Sequence, residues 1–222
     1  IKNLRDMKFA GCNLAGINLA AYSLQNVAFD ETNLTNADLS NATVTGATFS
    51  GAHIGGANFA SSGLTVDQLS STDSYSNGNL SGINLSGLDL SYLDLTGMTL
   101  TNVNFTGTTV AGASFSHSTL TAAQINSMNT NLSGINLENC NLASAALDHR
   151  NLTGAWLGDT NLAGANLSYA NRTGAWLGGN LTNANHSHAT LTSADLWGAL
   201  VVGANFASSG LTIDQLSYTA SY

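Results

Sequence analysis

The chain has 222 residues, of which only 8% are charged, and its formal net charge is −8 at neutral pH. The five cations, Lys2, Arg5, Lys8, Arg150 and Arg172, are too few and too scattered for the basic patch that nucleic-acid binding requires. No run of about eighteen apolar residues is present, so the sequence predicts no membrane-spanning helix.

Apolar residues recur at every fifth position through three blocks of the chain. The blocks cover residues 1–63, 77–119 and 130–210. A five-residue repeat would turn the apolar stripe of an α-helix by roughly 140° at each step, so a helix could not keep these residues on one face. A coil with four sides and one pentad to a side keeps all of them inside. Repetition at a fixed period is typical of a solenoid, and we predict one coil for every four pentads.

Each block is followed by a phrase that contains Thr-x-x-Gln, beginning at Thr65, Thr121 and Thr212. This spacing is the capping-box signature of a helix start, because Thr caps a backbone N–H three residues later while Gln reaches back. We predict helical interruptions at about 64–76, 120–129 and 211–222. Each helical segment is expected to substitute for one turn of the solenoid. The alternative is a run of degenerate pentads, since Leu64 and Leu69 keep the five-residue period.

Many pentads share one motif, which identifies a family resemblance. Examples are Thr35-Asn-Ala-Asp-Leu39, Gly164-Ala-Asn-Leu167 and Ser193-Ala-Asp-Leu196. These units resemble the A(D/N)LXX motif of pentapeptide-repeat proteins, and the resemblance extends over nearly the whole chain. It implies an all-β fold, a right-handed, four-sided parallel β-helix in which the central Leu or Phe and the small residue two before it point inward. On this basis we expect a single continuous solenoid over residues 1–222, interrupted by short helical segments.

Residues 151–189 contain the same coil twice. The octapeptide Asn151-Leu-Thr-Gly-Ala-Trp-Leu-Gly returns as Asn171-Arg-Thr-Gly-Ala-Trp-Leu-Gly. Trp156 and Trp176 stand at the outward position before each centre, and Trp197 follows on the next coil, displaced by two positions. Exposed aromatic side chains in a row are typical of a surface that binds a protein or a sugar, so we predict an exposed aromatic patch. The alternative is that the indoles only shield the flanking glycines.

Arg172 and His186 occupy centre positions, where the repeat normally has Leu, beside the point where one residue is missing. An unpaired guanidinium is too costly to bury, so Arg172 must turn outward or find acceptors. One interpretation is a polar pocket. We favour the other, a local distortion that lets both side chains reach solvent, because no acidic residue occupies a neighbouring inward position. Cys12 and Cys140, at the inward position two before the centre, are expected to be buried thiols.

The motifs point to binding rather than catalysis. The sequence has no nucleophile elbow, phosphate loop or metal-ligand spacing, so we expect no enzyme activity, no cofactor and no metal. We expect a structural scaffold, extracellular or at the cell surface, with a protein or glycan partner. Both termini lie directly in the repeat pattern, and Tyr222 followed by Ile1 would imitate the internal junction. We therefore expect head-to-tail joining into filaments, either non-covalently or as consecutive segments of a longer chain. The alternative is that capping elements lie outside this sequence.

The resemblance also implies an alternative function. Some pentapeptide-repeat proteins resemble B-form DNA and inhibit type II topoisomerases, which would place this chain in the cytoplasm. That role depends on dense acidic rows, since a DNA duplex has one charge per about 1.7 Å. The 13 acidic residues of this chain fall on several predicted faces. We therefore favour the scaffold, and a gyrase supercoiling assay distinguishes the two functions.

Overall fold

The computed structural model describes residues 2–221, which divide into two compact units. Unit 1 comprises Ile1–Leu90 and Met98–Thr108, and unit 2 comprises Ser91–Gly97 and Thr109–Tyr222. The junction of Tyr222 with Ile1 discussed above lies outside the described residues. None of the helices in residues 2–221 combines the length and hydrophobicity needed to cross a membrane.

Both units are parallel β-solenoids whose β structure consists of isolated bridges. In unit 1, Asn13 pairs with Asn33 and Asn33 with His53, and each bridge joins residues twenty positions apart. In unit 2, Asn131 pairs with Asn151 in the same way. Every pentad contributes one bridge residue and then turns, which explains why bridges rather than longer strands are found throughout the described residues. Four pentads therefore complete one coil.

The core of each unit is built from the pentad centres. In unit 1 the Phe29 ring lies between those of Phe9 and Phe49, with ring centroids 5.7 Å and 5.3 Å apart. In unit 2, Leu157 and Leu162 are fully buried, together with alanines two positions before the centres. Each buried Leu or Phe contributes roughly 1.5–3 kcal/mol, so the repeated centres supply most of the apolar stabilisation.

The first coil is one exception to this burial. Leu4, Phe9 and Leu14 are only partly buried, and Cys12 is exposed. The prediction that both cysteines are buried is therefore wrong for Cys12, because no coil packs over its position. Cys140 is buried as predicted, and burial raises the pKa of its thiol to about 11.

In most pentads the turn places one residue in the left-handed region, two positions after the centre. Asn36 (φ 57°) and Gly56 (φ 69°) occupy equivalent turns of successive coils in unit 1. A Cβ atom on Gly56 would meet only the end of the Asn36 side chain, which can move aside, so the positive φ is what favours glycine at this position. Gly and Asn enter this backbone conformation at low cost, which accounts for their frequency in the repeat.

Within residues 2–221, four short helices interrupt the coils. They are α1 (Val66–Ser70) and α2 (Asp73–Ser76) in unit 1, and α3 (Ala122–Ser127) and α4 (Ile213–Ser217) in unit 2. The predicted capping boxes are confirmed at α1, α3 and α4. The expectation that each helical segment replaces a whole turn is wrong. Asn58 pairs with Asn84, 26 positions later, and Ser114 with Asn136, 22 positions later, so the helices lengthen a coil without replacing it.

The Gln of the capping box has a second role that anchors the helix. At α1, the Gln68 amide donates to the carbonyl oxygens of Val44 and Ala47, at 2.9 Å and 2.8 Å. At α4, Gln215 donates to Leu191 and Ala194, both at 2.8 Å. The same side chain thus starts the helix and fixes it to the preceding coil.

Candidate functional site

The duplicated coils of unit 2 lie directly against each other. Trp156 and Trp176 form a parallel β-bridge. The backbone N–H of Trp176 donates to the Ala155 carbonyl oxygen at 2.9 Å. One residue is missing at the Gly178–Gly179 turn. The spacing between paired residues therefore falls from 20 positions, as in Trp156 and Trp176, to 19 positions, as in Trp176 and Asp195. A Cβ atom on Gly179 would lie 2.3 Å from the Thr160 carbonyl oxygen. Only glycine therefore allows the shortened coil to keep its contact with the coil before it.

The three tryptophans do not form a uniformly exposed row. Trp156 is 55% exposed and Trp197 is 65% exposed, whereas Trp176 is only partly exposed. The rings of Trp156 and Trp176 meet edge to face, with centroids 5.8 Å apart. The Trp176 ring also lies against Gly158, where an added Cβ atom would be 2.4 Å from the indole. Trp176 thus packs on the coil surface and supports Trp156.

Arg172 and His186 are both fully buried, so the interpretation that they reach solvent is wrong. The register of the coil is intact at both positions. The Arg172 N–H donates to Thr190 at 2.9 Å, and the His186 N–H donates to Asn205 at 2.7 Å. The slip is confined to the Gly178–Gly179 turn. Both side chains consequently keep the inward direction of a pentad centre.

The two buried side chains contact each other. Nη1 of Arg172 is hydrogen-bonded to Nδ1 of His186, whose ring stacks on Phe206 with centroids 4.6 Å apart. Burial and then the Arg172 charge lower the pKa of His186 to about 2, so the imidazole is neutral at pH 7. Burial lowers the pKa of Arg172 to about 9, so the guanidinium stays protonated. In this arrangement Nδ1 accepts and Nε2 carries the imidazole proton.

Three atoms of this pair find no acceptor in the described part of the protein. They are Nε and Nη2 of Arg172 and Nε2 of His186. Arg150, also in unit 2, provides a contrast. Its guanidinium donates to the carbonyl oxygens of Met128, Asn129 and Asn126, each at 2.7 Å. The Arg172 guanidinium therefore differs from that of Arg150 both in depth and in having a single hydrogen-bond partner, His186, among residues 2–221.

A stack of aromatic rings on one ridge of unit 2 was not expected from the sequence. The rings of His149, Tyr169 and His188 lie parallel at 4.8 Å intervals, with interplanar angles of 1° and 7°. All three residues occupy left-handed turn positions, with φ of 57°, 58° and 57°. The spacings of 20 and 19 residues were a usable signal, because turn residues of successive coils must lie side by side.

No three or more His, Cys, Asp or Glu side chains within residues 2–221 are grouped to hold a metal ion. Polar order on the surface comes instead from ladders of asparagine. Nδ2 of Asn151 donates to Oδ1 of Asn131 at 3.0 Å, and Nδ2 of Asn161 donates to Oδ1 of Asn141 at 2.9 Å. These ladders hold successive coils of unit 2 in register.

Comparison with protein families gives matches along most of the chain. The pentapeptide repeat region model matches residues 2–59. The model of pentapeptide repeats in eight copies matches residues 76–107, 99–129, 151–179 and 178–206. No curated protein gives a significant match.

Several solved structures are similar to this chain. HetL, a pentapeptide repeat protein involved in heterocyst differentiation regulation in the cyanobacterium Nostoc sp. strain PCC 7120, is 24% identical. The match covers 93% of this chain and 84% of HetL, with a TM-score of 0.35. Rfr23 from the cyanobacterium Cyanothece 51142 is 26% identical over 58% of this chain and 87% of its own, with a TM-score of 0.37. QnrB1, a plasmid-mediated fluoroquinolone resistance protein, is 15% identical over 97% and 96%, with a TM-score of 0.27.

Proposed function

Since this chain belongs to the pentapeptide-repeat family, we propose that it is a non-catalytic scaffold that binds other molecules through its coil edges and outer faces. The finer architecture is part of the proposal, with coils that are four-sided and wind to the right. Parallel bridges at twenty-residue intervals with four turns between them support the four sides. The right-handed preference of connections between parallel strands supports the direction of winding.

The scaffold proposal rests mainly on apolar core residues that are partly exposed in the first coil and in the last coil. In the first coil, Leu4, Phe9 and Leu14 are partly exposed and Met7 is 46% exposed, whereas the equivalent centres of the next coil are fully buried. In the last coil, Phe206 and Leu216 are partly exposed. Each edge also presents backbone groups that pair with a neighbouring coil elsewhere in the protein.

The segment that ends at Ser221 is bound to the preceding coil in the same way as the internal segment that joins two blocks of pentads. Oγ of Ser221 accepts from the Val201 N–H at 3.0 Å, as Oγ of Ser74 accepts from the Ile54 N–H at 2.9 Å. Internally, a new block of pentads follows this point at Leu80. We propose that a further block covers the equivalent edge after Ser221, either from a second copy or from further residues of the same protein. Copies joined in this way would form filaments.

Self-association is tested by analytical ultracentrifugation over a wide concentration range, with negative-stain microscopy. We expect concentration-dependent growth into fibres. Leu216→Glu should abolish it, because a carboxylate on the apolar edge repels an incoming coil. Tyr92→Ser, at a side chain 82% exposed, is the matched control and should assemble normally. A monomer at every concentration would refute self-association.

The aromatic surface around Trp156 and Trp197 supports a second contact role, with a protein or a glycan. Indole faces bind sugar rings and apolar side chains alike, and Trp176 holds Trp156 in place. Binding to an oligosaccharide array should fall in Trp156→Ala if the partner is a glycan. The extracellular location stays a prediction, tested by fractionation of cells that express the full protein.

A further inference from the structure

We propose that the core of unit 2 binds a small monovalent anion, of the size of chloride, against the guanidinium of Arg172. The site lies inside the coil that runs from Asn171 to Ala189, where Arg172 and His186 are fully buried. The ion would be a structural constituent of the core and is independent of what the coil edges and outer faces bind.

The first argument is charge. Burial lowers the pKa of Arg172 only to about 9, so the core of this coil carries one positive charge at neutral pH. Among the described residues, no carboxylate forms an ion pair with Arg172. His186 adds no compensating charge because it is neutral. Burying a charge without a counter-charge is unfavourable, and an anion removes most of that cost.

The second argument is the chemistry of the atoms that lack protein partners. Nε and Nη2 of Arg172 and Nε2 of His186 are all donors, and no acceptor at the pair is left without a partner. A ligand here must therefore accept hydrogen bonds. Nε and Nη2 form one edge of the planar guanidinium, whose two parallel N–H groups suit an anion. Water could also accept these hydrogen bonds, but it would leave the charge uncompensated.

The third argument is size and polarity. The inward positions two before the four centres of this coil are Ala170, Ala175, Gly179 and Ala184, all of them buried. The other two centres are Leu177 and Leu181. Such a lining offers no further donors for the oxygens of phosphate or sulfate, and it favours a compact ion that needs few hydrogen bonds. Because the site is enclosed, the ion is expected to enter as the coil folds.

Bromide provides the direct test, because it replaces chloride and scatters anomalously. The full chain is unfolded, refolded in sodium bromide and crystallised. We expect an anomalous peak within hydrogen-bonding distance of Nε and Nη2 of Arg172. The peak should be absent from Arg172→Leu and retained in Arg150→Leu, whose guanidinium already has three carbonyl acceptors in the wild type. Density for water alone at Arg172 would overturn the proposal.

Chloride linkage provides a second readout that does not need crystals. Unfolding is measured in sodium chloride and in sodium sulfate of equal ionic strength. For one saturated site, each tenfold rise in chloride should lower the unfolding equilibrium constant of the wild type about tenfold. Arg172→Leu should show no such response. An identical chloride response in the two proteins, like the absence of bromide, would contradict anion binding.

Discussion

The coil from Asn151 to Ala170 and the coil from Asn171 to Ala189 have nearly the same sequence but different cores. The first has Leu at all four centres, and the second replaces two of them with Arg172 and His186. Both keep their backbone hydrogen bonds to the neighbouring coils. The difference teaches that coil-to-coil hydrogen bonding, with two remaining leucines, holds the register even where the core is polar.

The largest expected effect comes from making the first coil resemble the second. Leu152 stacks directly above Arg172, since its N–H donates to Asn171 at 2.7 Å. Leu152→Arg would bury a second guanidinium about 4.8 Å from the first, without an acceptor. We expect a loss of about 3–5 kcal/mol in the free energy of unfolding, measured in urea. Leu152→Met is the size-matched control and should lose less than about 1.5 kcal/mol. Equal losses would show that the core tolerates charge generally.

Substitutions that make the second coil resemble the first should instead raise the free energy of unfolding. Arg172→Leu combined with His186→Leu restores four leucines and removes three donors that lack protein partners. At low chloride we expect the free energy of unfolding to rise by about 1–4 kcal/mol. Arg150→Leu should instead destabilise the protein, because three carbonyl groups lose their donor. A destabilised double variant would mean that the polar pair is itself favourable.

The turn that shortens the second coil is tested with Gly179→Ala. Its Cβ atom would lie 2.3 Å from the Thr160 carbonyl oxygen, which is backbone and cannot easily move. Crowding of this kind costs about 1–3 kcal/mol, to be measured by urea unfolding. Gly174→Asn is the control, because its turn has open space and a φ of 65° that Asn adopts. If both variants unfold alike, the slip does not depend on this contact.

A further difference is a pH dependence specific to the second coil. The pKa of His186 falls from 6.5 in the unfolded chain to about 2 in the folded protein, so the unfolded chain binds more protons between these values. Stability is therefore retained above pH 6.5 and lost as the pH falls below it, by up to about 1.4 kcal/mol per pH unit. The wild type should lose stability faster than the double variant between pH 6.5 and 4. If the wild type and the double variant lost stability with pH at the same rate, His186 would take up its proton in the folded protein as readily as in the unfolded chain.

The repeat predicted which residues form the candidate site, but it did not predict whether those residues are buried or exposed. The sequence placed Arg172 and His186 at centre positions and Trp156 beside Trp176, because the period assigns every residue to a position in its coil. The expectation that the pair reaches solvent failed because a nearby deletion was taken as a distortion of the whole coil. The Gly178–Gly179 turn confines that deletion to one corner.

The sequence by itself determined the five-residue period and the capping boxes at Thr65, Thr121 and Thr212. These are local patterns that each pentad or helix start carries within a few residues. Only the tertiary structure decided that Arg172 meets His186, that Trp176 lies on Gly158, and that His149 begins a stack of rings. The physical reason is that these contacts join residues 14 to 20 positions apart, and their geometry depends on how far each coil shifts against the next.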